Sequence, residues 1–162
     1  LLRAAARDAA DRGYDVVWID GRDVTPFGDD IAASVSRIGD RPALVVFDSY
    51  ELVNSLDGHL RNVVIPDLAD STVVLVASRQ PPAPGWFEQG WDTVVDVIEL
   101  GPLADADAAS ILRAHDLDPE LIAGIVRRSH GSPLALNIAA ETRGNVDAFH
   151  PELTDRLLRE EV

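Results

Sequence analysis

The sequence predicts an α/β protein with a mainly parallel sheet carrying helices on both faces, followed by a stretch built from helices alone. Three observations carry this. Short apolar, β-branched runs at residues 14–19, 43–47, 72–77 and 94–100 are separated by helix-length segments, which is the pattern of strand–helix–strand crossovers. After Gly101-Pro102 such runs stop, and alanine- and leucine-rich segments take over. A chain of 162 residues with 46% hydrophobic content is also large enough to bury one substantial core with a small appended subdomain.

Leu2, Ala5, Ala6, Ala9 and Ala10 recur at helical spacing, and Gly13 follows as a residue able to take the left-handed conformation that ends a helix. Residues 14–19 form a short apolar run closed by Asp20-Gly21, a buried strand and its turn. A helix is predicted over 27–38, ended by Gly39-Asp40-Arg41-Pro42. The next strand, 43–47, has Asp48 directly at its carboxyl end, and 51–62 is predicted helical. Strand 72–77 runs into Ser78-Arg79-Gln80 and then Pro81-Pro82-Ala83-Pro84-Gly85, which lacks the donors to continue regular structure. Residues 94–100 are the last strand expected. Four helices follow at 105–115, 119–129, 132–143 and 151–161, each with a proline or a capping residue near its start. The division expected is an α/β core over 1–100 and a helical subdomain over 101–162.

Composition excludes several function classes. The chain has no cysteine, hence no disulfide, thiolate zinc site or thiol nucleophile. His59, His115, His130 and His150 are far apart and share no ligand spacing. A net charge of −14 is an unfavourable field for a nucleic-acid backbone. No apolar run approaches the length of a membrane span and no leader pattern opens the chain, so a cytoplasmic protein is expected. All 14 basic residues are arginine. A phosphate loop of the form GxxxxGK[ST] needs a lysine, and none is present here. The absence of methionine and a start in mid-helix predict a segment of a longer protein.

Three places carry candidate chemistry. Asp48 lies where open parallel sheets bind ligands, at a strand's carboxyl end, and a carboxylate there can hold magnesium directly or through water. Glu51, three residues on, is placed to polarise a water; an ordinary strand end and turn is the plainer account of both. Arg79 follows the next strand on the same rim, where its fork suits a terminal phosphate, or where it is simply a solvated loop arginine. Gly131-Ser132-Pro133 is explained in large part by a serine cap and a proline at the first helical position.

In combination, residues 42–136 resemble the nucleotide-binding module of STAND-type signal-transduction ATPases, relatives of AAA+ and NACHT proteins found in actinobacterial regulators of LuxR type. The resemblance rests on Asp48-Ser49-Tyr50-Glu51 after a hydrophobic strand, on Arg79 after the next strand, and on the Pro81, Pro82, Trp86 and Trp91 loop. Leu100-Gly101-Pro102-Leu103 opening the helical part and the GxP element of Gly131 and Pro133 complete it. It implies a three-layer, P-loop-NTPase-like parallel sheet lacking its first strand, with a helical lid. It implies ATP and magnesium as cofactors of the intact parent, with Asp48 on the metal, Glu51 orienting water, Arg79 sensing the terminal phosphate and Gly131 and Pro133 bordering the adenine. The family's phosphate-loop strand would lie upstream, so residues 1–12 resemble the end of the helix that loop initiates. Its absence is expected to leave a gap in the sheet, so that either the sheet closes differently or with a partner, or residues 94–100 pack loosely beside an incomplete core with unpaired edges inviting association. It is also expected to leave this segment without tightly bound nucleotide or turnover. A non-catalytic interaction domain with a basic protein partner is the alternative, and a metabolic α/β enzyme a weaker third.

Overall fold

The computed structural model describes residues 1–25, 28–39 and 41–142, and the chain divides into two units, Leu1–Asp96 and Val97–Val162. In the first unit, helix α1 (Leu2–Asp11) ends as its sequence predicts. Gly13 takes φ 86°, and the N–H groups of Gly13 and Tyr14 donate to the carbonyls of Ala10 and Ala9, which satisfies carbonyls the helix itself leaves orphaned. The chain then turns directly into β1 (Asp15–Asp20). Helix α2 (Asp29–Val35), β2 (Ala43–Asp48) and β3 (Thr72–Val76) follow.

The three strands form a parallel sheet in the order β1-β2-β3. Asp15 lies opposite Ala43 and Asp20 opposite Asp48, while Ala43 lies opposite Thr72 and Phe47 opposite Val76. Central β2 is buried from Ala43 to Phe47. Because side chains alternate between faces, Val45 and Phe47 point one way and Leu44 and Val46 the other, so β2 is covered on both sides. Val45 and Phe47 join Ile19, Ile31, Tyr50, Val53, Leu60, Val64 and Trp86 in one core.

Two expectations need correction. Residues 51–62 are not one helix: a 3₁₀ segment (Tyr50–Leu56), kinked at Val53, passes through one α-turn, α3 (Asp57–His59), into a π-turn (Leu60–Val64). Val53, Leu60 and Val64 are buried in the core, and packing against the sheet rather than helix propensity decides the winding. Residues 94–100 form no strand. The N–H groups of Val94 and Val95 fold back to the Trp91 carbonyl, and Val94 and Ile98 are 75% and 76% exposed. A β-branched run becomes a strand only where an edge and a covered face receive it.

The second unit holds α4 (Asp105–Arg113), α5 (Pro119–Ser129) and α6 (Pro133–Glu141), packed around Ala108, Leu112, Ile122, Ile125, Val126, Leu136, Ala139 and Ala140. Asp118 accepts from the Glu120 N–H at 2.9 Å and Ser132 from the Ala135 N–H at 3.3 Å, and Pro119 and Pro133 take the first helical positions. The helix predicted over 151–161 lies outside the described residues. No helix among those described is long and apolar enough to cross a membrane.

Candidate functional site

The carboxyl ends of the strands form a charged rim. Parallel register sets Asp20 beside Asp48, and the backbone binds the two strand ends together: the Gly21 N–H donates to the Asp48 carbonyl at 2.8 Å. Gly21 is required there, because a Cβ would collide with the Ser49 carbonyl oxygen. Ser49 itself takes φ 54°, turning the chain sharply so that Tyr50 follows against the core.

Each rim charge has a different fate. Asp20 is held by a bidentate fork from Arg22, with Nε to Oδ1 at 2.9 Å and Nη2 to Oδ2 at 2.6 Å. Those bonds, joined by the Arg22 backbone N–H, lower the Asp20 carboxyl to about 2. Arg22 is held above its ordinary range by Asp20 first and, through space, by Asp48 as well.

Glu51 accepts from Arg79 Nε at 2.8 Å and from the Arg79 backbone N–H at 3.3 Å. Burial pushes the Glu51 carboxyl up, but the hydrogen bonds from Arg79 and from its own backbone N–H outweigh that and hold it below the ordinary glutamate range. Asp48 differs from both. Its half-buried carboxylate accepts no hydrogen bond and pairs with no cation at contact distance among the described residues.

Asp48, Glu51 and Arg79 therefore share one rim, as the sequence predicts. The Ala77 N–H donates to the Phe47 carbonyl at 2.8 Å and the Tyr50 N–H to the Ala77 carbonyl at 3.0 Å, extending the β2–β3 ladder past the strands and fixing the loop that bears Arg79. Asn54 adds a further tie, donating to Gln80 Oε1 at 2.9 Å. Gly131 and Pro133 belong to the second unit, Gly131 in the turn between α5 and α6 and Pro133 at the first position of α6. Gly131 takes φ 78° and its carbonyl accepts from the Leu103 N–H at 2.9 Å. A Cβ on Gly131 would strike the Leu103 carbonyl oxygen, so close backbone packing accounts for this glycine without any ligand.

A cluster missed by sequence reasoning lies just behind the rim. Asp57 Oδ1 accepts from Tyr50 Oη at 2.8 Å and from Trp86 Nε1 at 2.7 Å, while Oδ2 faces Arg61 Nη2 at 3.4 Å. Arg61 also lies 6.0 Å from the Trp86 ring centre. Burial, then the hydrogen bond to Asp57, pushes the Tyr50 hydroxyl above its ordinary range. This carboxylate fastens the proline-rich loop to the core through Trp86. The four-residue spacing of Asp57 and Arg61 was the available signal; the pairing with Tyr50 and Trp86 is tertiary.

Among the described residues, no group of three or more His, Asp or Glu side chains is arranged to hold a metal ion. Asp48 offers one carboxylate, with Asp20 beside it in register but held by Arg22. That donor set does not suit a protein cage, and it does suit magnesium, which keeps several waters and takes one or two carboxylates together with substrate phosphates.

Fold and site together define a mixed α/β chain with a charged rim at the carboxyl ends of a parallel sheet. No protein-family model, no curated protein and no solved structure matches it.

Proposed function

We propose that this chain is part of an ATP-dependent regulatory switch of the STAND type, in which the sheet is a P-loop-like core and the helices of residues 101–142 belong to a lid. The observation that carries the reading is Asp48. Among the described residues it is the rim carboxylate with no hydrogen-bond or contact-distance partner, at the end of the central strand, while Asp20 is neutralised by Arg22 and Glu51 by Arg79. In this reading Asp48 faces magnesium, which would offset phosphate charge. Arg79 reads a terminal phosphate and Glu51 orients water. The chain has no lysine, so a lysine-bearing phosphate loop would come from outside these residues, and nucleotide held by them alone would be weakly bound. Such a protein works in the cytoplasm as a transcriptional or signalling regulator.

The test is a titration of the ¹⁵N-labelled chain with excess ATP and trace Mn²⁺ in place of magnesium. Paramagnetic broadening should centre on the Asp48 and Ser49 amides and disappear in Asp48→Asn. Broadening that survives the substitution removes the metal role and with it the reading.

A second reading is favoured by the net charge of −14 and the lack of lysine: a non-catalytic domain on the same scaffold whose acidic surface receives a basic protein, with unpaired sheet edges open to association.

A further inference from the structure

Glu51 and Arg79 lie 28 residues apart on different segments, and their side chains are unequally exposed. The Glu51 side chain is 8% exposed and that of Arg79 61%. Both carboxylate oxygens are engaged by Arg79, one by the side chain and one by the backbone. The acid is thus enclosed beneath a base that faces solvent.

The loop that carries Arg79 does not depend on this ion pair alone. The Tyr50–Ala77 backbone bond, the Phe47–Ala77 backbone bond and the Asn54–Gln80 side-chain bond hold it independently. A guanidinium on a loop fastened in this way can exchange one anionic partner for another without releasing the loop.

We propose that the Glu51–Arg79 pair is an exchangeable latch. A polyphosphate anion arriving at the rim takes over the Arg79 guanidinium, and the departure of that guanidinium uncovers the Glu51 carboxylate to water. Guanidinium prefers the partner with more charge and more acceptor oxygens, which a terminal phosphate supplies and a single carboxylate does not. In the latched state shown by the structure, Glu51 is covered. The two roles assigned to these residues then exclude each other until an anion arrives, which makes the pair an autoinhibitory contact. The identity of the anion rests on the nucleotide reading above; the exchange itself does not involve Asp48.

The experiment titrates the chain with inorganic tripolyphosphate without metal, following the Arg79 side-chain Nε–H signal by NMR. In the unsubstituted chain that signal should move as the anion binds. Glu51→Gln removes the competing charge at equal volume and should tighten tripolyphosphate binding about three- to fivefold, the effect of one ion pair whose guanidinium faces solvent. Arg79→Gln should abolish it. Unchanged or weaker binding by Glu51→Gln overturns the latch, as does an Nε–H signal that stays fixed at saturation or no binding by either protein. If Glu51→Gln does not fold, the signal of the unsubstituted chain decides alone. Tightening by Glu51→Gln alongside Mn²⁺ broadening that ignores Asp48→Asn would keep the latch and reject the nucleotide reading, and the converse pair of results would reject only the latch.

Discussion

At Gly131 two constraints meet on one residue. Its positive φ strains any residue with a Cβ, and its close approach to Leu103 leaves no room for one. Gly131→Ala should therefore cost about 3 kcal/mol, more than a left-handed backbone alone, because the Leu103 backbone has to move as well. The check is the urea midpoint followed by far-ultraviolet circular dichroism. A loss of only a few tenths of a kcal/mol would mean that the turn relaxes freely. Sequence reasoning recognised the residue from the GxP pattern, and it recognised Ser132 and Pro133 as a helix start, because both signals are local. The contact with Leu103 spans 28 positions and leaves no trace in the local pattern.

The segment between β2 and β3 is where element-level prediction was weakest. The sequence predicts one helix over 51–62, yet the chain winds through 3₁₀, α and π turns instead. Those turns let Tyr50, Asp57 and Arg61 converge on Trp86, a residue of another loop. Asp57→Ala would leave the Tyr50 hydroxyl and the Trp86 indole N–H without their acceptor in a largely buried setting, at a cost of about 3 kcal/mol. Asp57→Asn keeps an acceptor oxygen and should cost less, about 1 kcal/mol. Tryptophan-fluorescence unfolding in urea separates the two, and equal costs would show that the Arg61 charge, rather than the two donors, governs this cluster. The failed strand at 94–100 teaches the complementary point. Its β-branched composition suits a pleated surface, but composition supplies neither the edge nor the cover.

Among the described residues, two cores without a shared residue carry the two units. Trp18, Trp86 and Trp91 all belong to the first unit, whereas α4, α5 and α6 belong to the second. Truncating Leu112, fully buried among those helices, should cost about 3 kcal/mol in the transition seen by circular dichroism. Tryptophan fluorescence should keep its original midpoint. If both probes shifted together after Leu112→Ala, the cores would unfold as one cooperative body.

The sequence by itself determined three of its four predicted strands, the positions of α4, α5 and α6, and the gathering of Asp48, Glu51 and Arg79 on one rim. These follow from periodicity, caps and the rule that parallel strands present their carboxyl ends together. Only the tertiary structure decided which charges on that rim are paired. Arg22 closes on Asp20 and Arg79 on Glu51, and among the described residues Asp48 has no contact-distance partner. The reason is physical: pairing depends on side-chain distances across the sheet, which register and loop docking set and sequence spacing does not.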